Sequence, residues 1–337
     1  MIISTCGYGY TGASAVLDFL QGYNSIQYLD YVEFQLLHQV DGILDLKYHL
    51  TQNKERISCN SAINRFLRQQ KKGTFAAKIR KLIGKKYDSL TQEYIKSLTI
   101  AQWDGRSNYD PSDVSAYSSS KIIFRFERAI NKILKKLNIM YPKKKRYFSI
   151  LSVDLFDEIT KKYLNGILQA LSIEDDKDIL LDMLFSATNP DAGTEFFDES
   201  KIILVDRDPR DIFIVSHRKD EEYSFMPFDT VENFIAYYRA LRKETTLSNK
   251  VLVVRYEDLI YKYWETTDRI IKFLGYKNRP ENEFKFFNPD ISMKYTNLKS
   301  ETFEGEIKKI ESELHEFLYD FTPYTNVENQ KKAGEEE

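Results

Sequence analysis

Three glycines, Gly7, Gly9 and Gly12, follow a short apolar run at the start of the chain. The pattern of residues 1–20 predicts a buried strand, a tight loop and then a helix. Such a loop presents backbone N–H groups and the positive end of the helix dipole to an anion. The spacing fits only part of the consensus GxxxxGK[ST], because Ala13 stands where the lysine is required. The loop therefore predicts phosphate binding without the usual lysine.

A second group of polar residues follows another apolar run, KIILVD, at residues 201–206. Arg207, Asp208 and Arg210 come directly after it, at what would be the carboxyl edge of a parallel sheet, where ligands of open α/β sheets bind. An arginine there can bind a phosphate through two hydrogen bonds. For Asp208 and Arg210 we favour a simple surface ion pair.

The order of elements predicts an α/β fold of three layers, with a mostly parallel central sheet flanked by helices, as in P-loop NTPases. Residues 201–206 and 250–255 are continuous apolar runs typical of parallel strands covered on both faces, and helical patterns alternate with them. Residues 60–150 are basic and mostly helical in pattern, which predicts a helical insertion. We expect a single α/β domain over residues 1–328 and a disordered acidic tail over residues 329–337.

The amino-acid composition indicates which class of protein the chain belongs to. The chain has 337 residues, 42% of them hydrophobic and 30% charged, with a net charge of -2, which is typical of a globular protein and gives no general attraction to nucleic acid. The two cysteines lack metal-ligand spacing, so we expect no metal site. No apolar run is long enough for a membrane helix and no signal peptide is recognisable, so we expect a cytosolic protein. The nine basic residues between positions 61 and 86 are interpreted as a solvated helical face.

The glycine loop, KIILVDRDPRD and VLVVRYEDL occur in an order and spacing that resemble the sulfotransferase superfamily. Residues 201–298 carry the strongest likeness, which includes the late segment FNPDISMKYTN. The resemblance implies transfer of a sulfuryl group from the nucleotide PAPS to a hydroxyl, with 3′,5′-ADP as the second product and no metal.

The resemblance also implies roles for individual residues. Residues 9–14 would surround the 5′-phosphosulfate, and Arg207 would bind the 3′-phosphate. The family's serine, eight residues after that arginine, is Val215 here, and Ser216 comes one position later. The implied donor-site residues are Gly7, Gly9, Tyr10, Thr11, Gly12, Ala13, Ser14, Arg207, Val215, Ser216 and Lys294.

Catalysis needs a base that removes the proton of the acceptor hydroxyl. Carbohydrate sulfotransferases often use a glutamate after the second strand, a place that Glu33 occupies, and His38 is the second candidate. Tyr10 stands where the family's loop has a lysine or arginine, and it can donate only a hydrogen bond to the developing charge.

The acceptor is predicted to be a glycan or glycan precursor, since 23 tyrosines and 22 phenylalanines include enough aromatic rings to stack on sugars. Two other functions stay open: a P-loop kinase that uses Mg-ATP, and a non-catalytic nucleotide-binding protein of the same fold. The kinase is disfavoured by the missing loop lysine and by the lack of an obvious acidic residue that ends a strand to hold Mg²⁺. A homodimer is compatible with the sequence.

Overall fold

The structure is a computed structural model of the whole chain. It describes residues 1–29, 33–106, 132–134, 136–137, 143–171, 174, 176–219, 226–243 and 245–324. The predicted acidic tail at residues 329–337 lies outside the described residues.

The strands along the described residues are β1 (Ile2–Gly7), β2 (Ile26–Tyr28), β3 (Ala101–Arg106), β4 (Lys143–Phe148), β5 (Asp178–Asp182), β6 (Ser200–Asp206) and β7 (Val251–Arg255). The α-helices are α1 (Ser14–Leu20), α2 (Ile43–Lys47), α3 (Arg56–Lys72), α4 (Thr74–Ile83), α5 (Lys85–Leu98), α6 (Val153–Ala170), α7 (Pro209–Lys219), α8 (Val231–Lys243), α9 (Tyr256–Tyr261), α10 (Tyr263–Leu274), α11 (Pro289–Ser292) and α12 (Glu304–Glu313).

The chain forms two compact units. The first consists of Met1–Phe34 and Glu174–Glu337, and the second of Gln35–Ile173. The predicted division, a single domain over residues 1–328 with an insertion at 60–150, stays a prediction.

The first unit is built on a five-stranded parallel sheet with the order β2-β5-β1-β6-β7. Its strands are buried on both faces: Ile3 and Ile203 point to one side, Cys6 and Leu204 to the other, and all four are at most 1% exposed. Continuous apolar runs fold in this way because each face must be covered. Since β1 lies between β5 and β6, the carboxyl ends of these three strands meet at one edge.

Helices pack against this sheet and complete the predicted α/β architecture. One face contacts α1, α9 and α10 through a core that includes Val16, Leu259 and Ile270. Pro209 begins α7, as expected for a residue without an N–H to satisfy. Gly275 ends α10 in the left-handed conformation. The fold class predicted from sequence, a mostly parallel sheet flanked by helices, is confirmed.

The second unit is mainly helical and holds α2 to α6. Tyr94 of α5 stacks on Tyr163 of α6, with ring centroids 4.3 Å apart, and each hydroxyl is paired with a buried threonine hydroxyl at 2.9 Å. The antiparallel pair β3-β4 was not predicted, because β4 reads KKKRYF and its lysines suggested a helical surface. Within the part of the chain that is described, none of the helices has the length and apolarity required to span a bilayer.

Candidate active site

The loop between β1 and α1 is a tight turn that requires glycine. Gly12 has a φ of +80°, and a Cβ built there would lie 2.5 Å from the ring of Tyr256. Gly9 has a φ of +90°, and a side chain there would collide with Met226. Tyr10 also adopts a positive φ, +55°, which is uncommon for a bulky residue. The three residues turn the chain sharply, and Thr11 at the centre of the turn is buried.

Arg207 connects this turn to the end of β6. Its side chain is 4% exposed, and its guanidinium donates a hydrogen bond to the carbonyl of Tyr10 at 3.0 Å and another to the carbonyl of Tyr295. The guanidinium lies 4.9 Å from the ring centroid of Tyr256. Its Nε is buried and has no hydrogen-bond partner in the protein. A buried charged group with an unpaired donor is costly.

The segment after α11 is held against the same edge by Asp211. This carboxylate accepts hydrogen bonds from the backbone N–H groups of Asn297 and Leu298, at 3.0 Å and 2.8 Å. Burial raises the pKa of Asp211 to about 6, although the charge of Arg207 opposes that shift. An acid in the first turn of a helix, such as Asp211 in α7, commonly stabilises the start of that helix. Instead it fixes a loop that is 86 residues away along the chain.

The glycine turn, Arg207 and the segment around α11 line a cavity of about 540 Å³. Its size falls within the range of small-molecule sites in proteins. The lining residues are Tyr10, Gly12, Ala13, Ser14, Ala15, Asp18, Arg207, Val215, Tyr256, Phe287, Ser292, Tyr295 and Leu298. The glycine turn and the arginine that follows β6 therefore line one cavity.

The structure places only some of the predicted donor-site residues on this cavity wall. Those that line it are Tyr10, Gly12, Ala13, Ser14, Arg207 and Val215. The predicted residues that do not line the cavity include Gly7, Gly9 and Thr11, which form part of the turn. A Cβ at Gly7 would lie 2.1 Å from Thr11 Oγ1, so there is no room for a side chain. Ser216 is buried and donates its hydroxyl to the carbonyl of Phe213 at 2.8 Å, whereas Lys294 is exposed and lies over the ring of Tyr295.

Asp208 and Arg210 form the expected ion pair, but Asp208 is buried instead of lying at the surface, and Arg210 is half-buried. Asp208 is fully buried, and its carboxylate binds Arg210 at 2.8 Å and the N–H of Tyr319 at 2.7 Å. Glu257, also fully buried, accepts a hydrogen bond from the N–H of Asp208 at 2.7 Å, and burial raises its pKa to about 7. Buried acids stay paired because an isolated charge is too costly. They hold the chain rigidly just after Arg207.

Asp182 lies at the same edge of the sheet, although nothing in the sequence indicated a functional role for it. It ends β5 opposite Thr5 of β1, and its Oδ1 is 3.4 Å from the Thr5 hydroxyl. Burial raises the pKa of Asp182 to about 6, and the negative charge of Glu33 adds to the rise. The expectation that no acidic residue ends a strand was therefore wrong, since Asp206 also ends β6, where it pairs with Arg242.

Glu33 is exposed and follows β2, and the N–H of its neighbour Phe34 donates to the carbonyl of Asp182 at 2.7 Å. This hydrogen bond fixes Glu33 near the carboxyl ends of β5 and β1. His38, the second candidate base, is half-buried and belongs to the other compact unit. Among the described residues, no group of three or more histidines, cysteines or acids could hold a metal ion.

Comparison with known proteins decides the family. A sequence profile of the sulfotransferase family matches residues 78–280, more than half of the chain. The chain belongs to the sulfotransferase family. It is therefore a sulfotransferase enzyme, and its reaction is sulfuryl transfer. Among curated proteins, none matches the sequence significantly.

Solved structures of sulfotransferases give distant similarities. The sulfotransferase domain of the Synechococcus PCC 7002 olefin synthase is 12% identical with a TM-score of 0.41, over 95% of this chain and 94% of that one. The sulfotransferase domain from the curacin biosynthetic pathway is 13% identical with a TM-score of 0.40, over 93% and 97%. A sulfotransferase from Mycobacterium avium is 12% identical with a TM-score of 0.37, over 92% and 76%.

The turn of the sulfotransferase is predicted to tolerate no side chain at position 12. Gly12→Ala should cost about 1 kcal/mol for the positive φ and a further 1–3 kcal/mol, roughly, for the collision with Tyr256. Gly275→Ala is the matched control, because Gly275 has a φ of +84° and a Cβ built there would meet no atom within 4 Å. Urea unfolding measures both losses. Equal losses in the two variants would contradict the predicted collision.

Asp182→Asn is predicted to stabilise the sulfotransferase at neutral pH. The folded state raises the pKa of Asp182 from 3.8 to about 6, so ionisation disfavours folding and stability falls as the pH rises through this interval. The variant should gain about 1–3 kcal/mol at pH 7.5 and nothing below pH ~4.

Urea unfolding at several pH values tests this difference. Asp320→Asn is the control, because a hydrogen bond with Thr322 lowers the pKa of Asp320, and its removal should give no gain at pH 7.5. A constant difference between wild type and Asp182→Asn across the pH range would contradict the raised pKa.

Proposed function

We propose that this sulfotransferase uses PAPS as donor and transfers the sulfuryl group to a hydroxyl of a glycan or glycan precursor. One observation carries the proposal: the glycine turn and Arg207 line the same cavity and are joined by the hydrogen bond from the guanidinium to the Tyr10 carbonyl. PAPS carries anionic groups on both sides of its ribose. A site with two separate anion-binding pieces on one wall is suited to it.

In this proposal, residues 9–14 receive the 5′-phosphosulfate and Arg207 receives the 3′-phosphate. The place of Arg207 on the cavity wall supports this role, because a guanidinium can bind a phosphate through charge-assisted hydrogen bonds. The same phosphate would compete with the carbonyl of Tyr295 for the guanidinium. Val215 lines the cavity and Ser216 does not, so we assign no role in phosphate binding to the Ser216 hydroxyl.

The chemical step is an in-line displacement at sulfur. The acceptor oxygen forms a bond to sulfur while the bond between sulfur and the bridging oxygen of PAPS breaks, which leaves 3′,5′-ADP. Glu33 accepts the proton of the acceptor hydroxyl. Its exposure and its place at the carboxyl ends of β5 and β1 support this role. Backbone N–H groups of the turn stabilise the leaving oxygen where other members of the family use a lysine.

The surface of the helical unit supports the proposal of a glycan acceptor. Helices α3 and α4 and the start of α5 expose basic side chains in a stretch without acids, and such a surface suits anionic substituents on a sugar chain. The exposed basic residues are Arg68, Lys71, Lys72, Lys78, Lys81, Lys85 and Lys86. We also propose that the protein is located in the cytosol.

The direct test of the proposed function is acceptor-dependent release of 3′,5′-ADP from PAPS by the purified protein, over a panel of neutral and anionic glycans.

Arg207→Ala is predicted to weaken donor binding. Loss of a charge-assisted hydrogen bond to phosphate should raise the dissociation constant for 3′,5′-ADP roughly 10- to 100-fold. Isothermal titration without magnesium measures it, and a Mg-ATP kinase would instead bind Mg-ATP more tightly than 3′,5′-ADP. Arg269→Ala, an exposed arginine of the same unit, is the control. Unchanged affinity in Arg207→Ala would remove the proposed 3′-phosphate site.

Glu33→Gln is predicted to lower kcat about 100- to 10,000-fold, because the amide cannot accept the proton. Binding of 3′,5′-ADP should stay within about twofold of wild type. Steady-state kinetics with the best acceptor of the panel gives kcat, and Glu265→Gln, an exposed glutamate of α10, serves as control. Full activity of Glu33→Gln would show that another group is the base, and His38→Gln would then be the variant to examine.

A further inference from the structure

A second acid lies beside the proposed base, at the carboxyl end of β5. The carbonyl of Asp182 accepts a hydrogen bond from the N–H of Phe34 at 2.7 Å, which fixes the segment of Glu33 against this residue. The carboxylate of Asp182 is turned toward β1, where the hydroxyl of Thr5 lies 3.4 Å from its Oδ1. The N–H of Met183 donates to the carbonyl of Thr5 at 2.9 Å. Asp182 thus ties the segment of Glu33 to the strand that leads into the glycine turn.

Two titratable groups from different elements face Asp182. Cys6 lies on β1, and burial together with the charge of Asp182 raises the pKa of its thiol to about 12, so that it stays neutral. Glu33, in the segment after β2, carries a negative charge, which adds to the burial that raises the pKa of Asp182 to about 6. Two like charges repel each other equally, so the interaction acts on both acids. Asp182 and Glu33 therefore form an interacting pair of acids.

The charge of Asp182 disfavours folding at neutral pH, as its raised pKa indicates. An uncharged side chain of the same shape would fill this position without that cost. Acids with raised pKa values are common at functional sites, where stability is given up for a charge that the reaction uses. The place of Asp182 beside Glu33 and β1 indicates which step its charge serves.

We infer that Asp182 is a positioning residue for the proposed base, and that its negative charge makes Glu33 a stronger proton acceptor. This inference rests on the proposed role of Glu33. When the proton of the substrate hydroxyl moves to Glu33, the pair of acids changes from two negative charges to one, and their repulsion is relieved. Because this relief comes only during proton transfer, it lowers the barrier without strengthening substrate binding. Once Asp182 is protonated, the contribution is lost.

The pH dependence of kcat for wild type and Asp182→Asn tests the inference, with PAPS and the best acceptor of the glycan panel. At about pH 7.5 the variant should lose roughly 3- to 30-fold in kcat, while its dissociation constant for 3′,5′-ADP stays within about twofold of wild type. Below pH ~5 the two kcat values should converge, because protonated Asp182 is uncharged like asparagine. A loss in kcat that is equal at every pH, or no loss at any pH, would overturn the inference.

A second variant changes the ionisation of Asp182 and leaves the carboxylate in place. Thr5→Val removes the hydroxyl that lowers the pKa of Asp182. As the pH falls, this variant should lose kcat roughly half a pH unit before wild type does, and it should match wild type at high pH. Asp320→Asn, an exposed acid of the same compact unit, is the control and should keep the wild-type kcat throughout. An unchanged pH dependence in Thr5→Val would overturn the assignment of this loss to Asp182.

Urea unfolding at several pH values gives a readout without turnover. In Glu33→Gln the repulsion that raises the pKa of Asp182 is gone, so the pH interval in which stability falls should lie lower than in wild type. If this interval does not move, the pairing of the two acids is overturned.

Failure of the inference is distinguishable from failure of the proposed base. If Glu33→Gln is inactive and the kcat ratio of Asp182→Asn to wild type does not depend on pH, Glu33 stands as the base and the role of Asp182 is overturned. If Glu33→Gln has full activity, both proposals are overturned.

Discussion

The buried guanidinium of Arg207 is the interaction on which the site depends. It follows the interior strand β6 and binds two carbonyls from distant parts of the chain, those of Tyr10 and Tyr295. A glycine turn and a late loop are thus brought to one wall by a single cation. The guanidinium also lies over the ring of Tyr256, which begins the helix after the neighbouring strand β7. Four segments of the chain therefore meet at one side chain.

A framework of buried acids keeps that arginine in place. Asp208 and Glu257 are fully buried, and each accepts hydrogen bonds from backbone N–H groups that would otherwise have no partner. Asp211 does the same for the late loop. Charges in these positions are costly to bury, and the raised pKa values of Asp211 and Glu257 reflect that cost. The rigidity that they provide lets a ligand meet a preformed wall.

Much of this arrangement was predictable because its signals are local. Continuous apolar runs marked β6 and β7, and three closely spaced glycines marked the turn after β1. By contrast β5 has only three apolar residues between two aspartates, so that neither the strand nor Asp182 was recognised. Its assignment depends on pairing with β1, which is 177 residues away and leaves no local trace.

The direction of individual side chains was the second feature that the sequence could not predict. Val215 and Ser216 are neighbours in the sequence, yet on α7 one faces the cavity and the other the helix carbonyls. A helix turns by about 100° per residue, so a shift of one position decides which side chain reaches a ligand. The exposure of Asp18 to the cavity could not be foreseen for the same reason, because it depends on which face of α1 the sheet covers.

The contact between Gly12 and the ring of Tyr256 ties the evolution of the two positions together. The ring occupies the volume that any Cβ at position 12 would need, and the guanidinium of Arg207 lies 4.9 Å from its centroid. A larger residue at position 12 is compatible with this fold only if a smaller side chain replaces Tyr256. Such a replacement would remove the aromatic ring beside the guanidinium of Arg207. Homologous chains should therefore vary at these three positions as a set, even though the positions lie far apart along the sequence.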